Sequence, residues 1–285
     1  MMVPPNRKTT MTTDAIAIDT GTDQLLCEIR ERVAIITFNR PESRNALGDI
    51  LTPALRRMIA ERGEDDRVGA LLITGAGTSF CAGGDVKGMG GNRGGSPMTP
   101  EERIAQLKVR QRTLTGALVA VRKPTVAALP GTAAGAGLAI ALACDIRIAA
   151  RSAFVATGYA RVGLSGDYGI AWLLTRAVGS PRARELMFSA ERVDAERAER
   201  IGLFNRVVPD EALGDEAFKL AKSLADGPTL ALRSMKDNLD EALEVDFETA
   251  LDREAERLVR SAGTADHREA VRAFVEKRKP VFTGR

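Results

Sequence analysis

The stretch at 124–145 constrains this chain most. It reads Pro124-Thr125-Val126-Ala127-Ala128-Leu129, then Gly131-Thr132-Ala133-Ala134-Gly135-Ala136-Gly137-Leu138-Ala139, and runs on through Ile140 to Cys144-Asp145. The pattern predicts a short apolar strand, a tight turn of small residues and the start of a buried helix. Small residues at a helix N-terminus leave backbone N–H groups uncovered, and the helix dipole adds positive potential there. Such a place holds an anion, or an oxygen that becomes one during a reaction. The same residues also suit close packing of a helix on a sheet, and the motif alone does not separate the two.

Composition excludes several classes. The length of 285 residues suits one large domain, or one domain with a helical appendage. A net charge of +3, with 28% charged residues of both signs, makes no case for nucleic acid or a membrane surface as partner. No apolar run approaches the roughly 18 residues of a membrane span. Cys27, Cys81 and Cys144 are too widely spaced for a metal site, and they fit reduced thiols of a cytoplasmic protein better than a disulfide framework. The first two dozen residues are polar and Thr-rich and lack an apolar signal core, so 1–24 is expected to be a disordered tail. The lone histidine, His267, lies in a charged helix-like stretch and reads as solvated. That weakens Ser-His-Asp hydrolysis and most zinc chemistry.

Along the chain, Val33-Ala34-Ile35-Ile36-Thr37-Phe38 predicts a strand ended by Asn39-Arg40-Pro41. Apolar spacing at Leu47, Leu51, Leu55, Met58 and Ile59 predicts a helix from Ser43 to about Arg62. A fully apolar strand is expected at 68–74, followed by a glycine-rich segment through Cys81-Ala82-Gly83-Gly84-Asp85. Helix is expected again from 101 to about 121, and a buried strand at 145–149. Strands alternating with helices mean an α/β core, placed at 25–208. After Pro209 the pattern is purely helical and charged, with apolar spacing at Ala217, Leu220, Leu224, Phe247, Leu251 and Leu258. The region 209–285 therefore suits association or a simple covering layer.

No Gly-x-Gly-x-x-Gly opens a helix after a strand, and no Gly-Lys-Ser/Thr closes a phosphate loop. What remains is two small-residue turns, Cys81-Ala82-Gly83-Gly84-Asp85 and Ala134-Gly135-Ala136-Gly137, each after an apolar strand. If they converge, two backbone N–H groups can grip one carbonyl oxygen, polarise a thioester and stabilise its enolate.

At these residues the chain resembles the crotonase, or enoyl-CoA hydratase/isomerase, superfamily. The likeness is carried in order by Asn39-Arg40-Pro41 with Asn45-Ala46-Leu47, by Ser79-Phe80-Cys81-Ala82-Gly83-Gly84-Asp85-Val86-Lys87, and by the 131–145 motif. Leu174-Thr175-Arg176-Ala177-Val178-Gly179 and Ala273-Phe274-Val275-Glu276-Lys277-Arg278 complete it. The resemblance implies an α/β spiral of ββα units with a C-terminal helical region that builds trimers, often paired as hexamers. It implies an acyl-CoA thioester as ligand, with coenzyme A part of the substrate and no separate cofactor or metal. It assigns the oxyanion N–H groups to Gly84 and Ala136. Ala stands at 136 where the family usually has Gly, and a main-chain donor tolerates that change. Arg44, Ala46, Ala82, Ala134, Asp85 and Val86 fall where the family cradles the coenzyme.

The chain also departs from the family. The positions of the two hydratase glutamates are Ala139 and Tyr159, both expected to line the acyl region. Adding water across a double bond needs that water held and deprotonated, and the α-carbon protonated. An alanine does neither, and a tyrosine with an ordinary pKa of about 10 is a poor base. One carboxylate remains, Asp167, in a loop like that of ring-epoxide phenylacetyl-CoA isomerases. It suits either proton transfer between carbons or the capping of a helix at 168–178. Tyr159 suits packing or a hydrogen bond, and Trp172 is expected on one helical face with Tyr168, in the core or shaping the acyl pocket. Asp145 reads as structural. Three functions stay open: a proton-shuttling isomerase, an enoyl-CoA hydratase of fatty-acid or aromatic-acid breakdown, and a non-catalytic acyl-CoA binder.

Overall fold

The computed structural model describes residues 15–84 and 98–285. Two sheets organise them. The larger has seven strands: β1 (Ile16–Ile18), β2 (Leu25–Arg30), β3 (Val33–Phe38), β4 (Ala70–Gly75), β6 (Thr125–Leu129), β8 (Ile146–Ala150) and β11 (Arg206–Val208), adjacent in that order. The smaller runs β10 (Val193–Asp194), β9 (Phe154–Ala156), β7 (Thr132–Ala134), β5 (Ser79–Cys81). From β3 to β11 the large sheet is parallel, and β5, β7 and β9 are parallel in the small one. Each consecutive pair, β4 with β5, β6 with β7 and β8 with β9, places one strand in each sheet. A helix then carries the chain to the next pair, which is the ββα spiral expected.

The helices are α1 (Leu51–Glu64), α2 (Pro100–Gln111), α3 (Ala117–Ala120), α4 (Ala136–Ala143), α5 (Ile170–Ser189), α6 (Ala195–Arg200), α7 (Leu213–Ala225), α8 (Thr229–Glu241), α9 (Phe247–Ala262) and α10 (Ala265–Val275). Strands β4 and β6 are almost wholly buried, as parallel strands covered on both faces must be. Their inner side chains, Leu71, Ile73, Ala127 and Leu129, meet Leu55, Met58 and Ile59 of α1 and Ile140 of α4 in the main core. Their outer side chains, Ala70, Leu72, Val126 and Ala128, meet Leu213, Ala217, Ala221 and Ala225 of α7. The alanines recur every fourth residue, so α7 lies close on the sheet. The helical region after Pro209 therefore divides by packing: α7 covers the sheet, and α8 to α10 lie outside it.

Several expectations need correction. Residues 16–18 are not tail; they form β1, paired antiparallel with β2. The expected tail at 1–14 lies outside the described residues. The helix expected from Ser43 begins at Leu51, because Arg44 and Asn45 take left-handed φ angles of 52° and 56° after a 3₁₀ turn at Pro41–Ser43. The helix expected at 101–121 is present, with one π turn at Arg112–Gly116. The turn after β6 is not a direct step into a helix, since β7 intervenes. His267 is exposed, as expected, and all three cysteines are buried and free. Among the described residues no helix is long and apolar enough to cross a membrane.

Candidate active site

Sheet pairing brings the two small-residue turns together. Strands β5 and β7 run parallel with Ser79 opposite Thr132 and Cys81 opposite Ala133, so both chains leave the small sheet at the same end. A β-carbon built on Gly83 would lie 2.7 Å from the Ala134 carbonyl oxygen and 3.5 Å from the Ala136 nitrogen. Gly83 also has φ +91°, which L-residues rarely adopt. The first turn is thus seated directly on the N-terminus of α4.

Residues 44–47 clamp the first turn from its other side. Ala82 N–H donates to the Arg44 carbonyl at 3.0 Å, and Leu47 N–H donates to the Gly83 carbonyl at 2.8 Å. This is why the chain stays irregular where a helix was expected. Asn45, fully buried, holds the irregular segment in place. Its Oδ1 accepts from Arg40 N–H at 2.8 Å, and its Nδ2 donates to the carbonyls of Ala76 (3.0 Å) and Ser79 (2.7 Å). The motif that contains Asn45 does not by itself reveal this task. Its signal was the residue type itself, an asparagine just before the apolar Ala46-Leu47, since asparagine accepts left-handed φ and bonds nearby backbone.

No acceptor among the described residues takes the N–H of Gly84 or of Ala136. The Ala136 N–H is the first of an apolar helix buried from end to end, where the dipole is least screened. Backbone donors left unspent in this way can polarise a carbonyl oxygen that reaches them.

The carboxylate approaches from the loop between β9 and α5. A β-carbon on Gly135 would lie 3.8 Å from the Tyr159 hydroxyl oxygen, and that hydroxyl donates to Asp167 Oδ1 at 2.6 Å. Asp167 is half-buried. Burial raises its carboxyl above the ordinary Asp value, and the Tyr159 hydrogen bond pulls it back. Burial and the Asp167 charge push the Tyr159 phenol far up, so it stays neutral.

Asp167 does not cap the following helix with its side chain. Helix α5 starts at Ile170 with Gly169 as its N-cap, and Asp167 contributes only its carbonyl, which accepts from Ile170 N–H at 3.1 Å. Tyr159 does both things expected of it: its ring is buried, and it donates a hydrogen bond. Trp172 is corrected. It is 46% exposed, with the Arg176 guanidinium 3.5 Å from its ring centroid, so it is a surface residue of α5 and not a core one. Tyr168 precedes the helix with φ 50°, so the two share no helical face.

Ala139 is completely buried in the core, and Ala46 is buried. Arg44 is exposed, and Ala82 and Ala134 are half-buried beside the first turn. Asp85 and Val86 lie outside the described residues. Asp145 is structural: it accepts from Thr125 N–H (2.8 Å) and from Lys236 Nζ (2.7 Å), tying α8 to the start of β6. Among the described residues no group of three or more His, Cys, Asp or Glu is placed to hold a metal.

Comparison with known proteins shows what the chain is similar to. The sequence profile described as Enoyl-CoA hydratase/isomerase matches residues 28–285. The chain is 37% identical over 262 residues to a 1,2-epoxyphenylacetyl-CoA isomerase of Escherichia coli, covering 92% of this chain and 98% of that protein. It is 34% identical over 261 residues to a short-chain-enoyl-CoA hydratase of Clostridium acetobutylicum, covering 90% and 96%. The crystal structure of an enoyl-CoA hydratase from Polaromonas superposes with a TM-score of 0.84 at 32% identity, covering 90% of this chain and 99% of that one. With the spiral, the paired turns and a match spanning nearly its whole length, this chain belongs to the enoyl-CoA hydratase/isomerase family.

Proposed function

We propose that the chain is an acyl-CoA isomerase that moves a proton between carbons of a thioester. The thioester carbonyl oxygen accepts from Gly84 N–H and Ala136 N–H, which lowers the cost of the enolate. Asp167 takes a proton from the α- or γ-carbon. The electron pair left on carbon delocalises onto the thioester oxygen, and Asp167 then returns the proton at the other end of the conjugated system. Every atom that leaves the substrate goes back to it, so the reaction needs no cofactor beyond the coenzyme A already part of the substrate. Arg44, Ala46, Ala82 and Ala134, around the first turn, form the side on which the coenzyme is held.

One observation carries this reading: among the described residues one half-buried carboxylate is tied to the Gly135 turn through Tyr159, and a buried alanine stands at 139, where the family resemblance puts a hydratase glutamate. Hydration must hold and deprotonate a water and protonate carbon as well, whereas a proton shuttle needs one base. The E. coli relative named as a 1,2-epoxyphenylacetyl-CoA isomerase makes ring-epoxide thioesters a substrate class to set beside 3-enoyl-CoA esters. Helices α8 to α10 expose Leu239, Phe247, Leu258 and Phe274 at 71%, 77%, 71% and 86%, which supports association as homotrimers or paired trimers.

The test is Asp167→Asn against a panel of 3-enoyl-CoA and ring-epoxide thioesters. Turnover is expected to fall at least about a thousandfold, with ester affinity retained. Unchanged turnover defeats the assignment. Rapid loss of conjugated absorbance on adding crotonyl-CoA to the unaltered protein, with no isomerisation of any ester, supports a hydratase instead. Tight ester binding with no product at all supports a binder.

A further inference from the structure

We propose that Tyr159 is the positioning residue for Asp167: its hydroxyl occupies Oδ1 and leaves Oδ2 as the one oxygen that exchanges a proton with the acyl chain. This rests on the reading of Asp167 as the base. The geometry separates the two ends of the tyrosine. The residue is 7% exposed and its ring lies against Gly135, the residue before the proposed oxyanion donor Ala136. Its backbone is fixed too: the carbonyl accepts from Leu164 N–H at 3.0 Å, at the head of a short 3₁₀ turn. The hydroxyl is therefore held in place before substrate arrives, and the 2.6 Å bond to Asp167 inherits that rigidity.

The loop around the base would otherwise be loose. Residues 161–166 are exposed, and Asp167 is the half-buried link between them and the buried Tyr168. A carboxylate in such a loop can turn either oxygen, or neither, toward the ligand. A neutral donor on one oxygen fixes the rotation and favours the ionised form. A carboxylate at 159 would do the reverse, since two like charges at this distance cannot both ionise. With tyrosine there, Asp167 remains a base in a partly dry site.

Tyr159→Phe keeps the buried ring and removes only the donor. For the ester that the unaltered protein isomerises, kcat is expected to fall about ten- to a hundredfold, while KM changes less than about twofold. The acid limb of kcat/KM should move to higher pH, because a donor that favours the ionised base is gone. A second measurement does not depend on activity. The chain has two tyrosines, so fluorotyrosine incorporation yields two ¹⁹F signals, assigned with Tyr168→Phe. The Tyr159 signal should titrate with the carboxylate, and that titration should vanish in Asp167→Asn. If Asp167→Asn is inactive but Tyr159→Phe keeps its kcat and acid limb, the positioning role fails and the base stands. If Asp167→Asn is fully active, the base assignment itself fails. A ¹⁹F signal that ignores the carboxylate overturns the hydrogen bond on which the proposal is built.

Discussion

Replacing Gly83 with alanine tests the proposed oxyanion arrangement at its tightest point. The new methyl carbon would sit 2.7 Å from the Ala134 carbonyl oxygen, about 0.7 Å inside the distance at which ordinary contact begins. The obstacle is backbone, so the turn cannot yield by rotating a side chain. It must move away from β7 and α4, and Gly84 N–H moves with it. Left-handed φ adds roughly 1–2 kcal/mol for an L-residue. Misplacement of reacting groups by about 1 Å can cost about a hundredfold, and loss of one oxyanion donor about a hundred- to a thousandfold. Gly83→Ala should therefore lower kcat by about a hundredfold or more, with a smaller change in KM and a melting point several degrees lower. Gly214→Ala is the control: it sits in α7 with nothing within 4 Å of its β-carbon, and it should match or slightly exceed the stability of the unaltered protein. Steady-state kinetics with the best ester, beside thermal melts of both variants, decide the matter. Wild-type kcat in a folded Gly83→Ala protein would refute the claim that these two turns must touch for the site to work.

Two further outcomes concern stability. Asn45→Ala leaves the Ala76 and Ser79 carbonyls and the Arg40 N–H without their buried partner, an expected loss of about 3–5 kcal/mol in urea unfolding. Asn45→Asp should be worse than alanine, because it sets a carboxylate oxygen against two carbonyls; equal stability of Asn45→Asp and the unaltered chain would contradict that network. Asp65 is held down to about 2, first by its hydrogen bond to Arg67, with Arg62 also close. Its folded value lies below the ordinary Asp value, so its contribution is present above about pH 4 and disappears as pH falls toward about 2. Asp65→Asn should therefore be less stable at neutral pH and show a flatter acid limb in urea midpoints measured from pH 2 to 7.

Much of the architecture is legible in the chain because period and burial are local signals. Val33–Phe38 appears as the strand expected, and the apolar run at 68–74 becomes β4 with a boundary shift of one or two residues. The first part of α5 stops at Gly179, with φ 77°, and Pro181 opens the next turn, which is how small-residue and proline punctuation ends and restarts a helix. The segment at 43–50 misleads for a physical reason. Its apolar spacing fits a helix, but the Asn45 side chain bonds the nearby Arg40 backbone and two carbonyls far away in sequence, Ala76 and Ser79, which holds the segment out of a helix. Trp172 misleads in the same way, since one helix's periodicity does not say which neighbour will cover it.

The sequence by itself determined the family, the alternation of strands with helices and the two small-residue turns, because each is written in residue type and order. Tertiary structure decided that the turns meet, that Tyr159 spends its hydroxyl on Asp167, and that Asp167 is no helix cap. Those facts depend on the register of β5 against β7 and on the path of a glycine-rich loop. The register is set by pairing between residues far apart in the chain, and the loop is anchored where Tyr159 meets Gly135, neither of which a local pattern records.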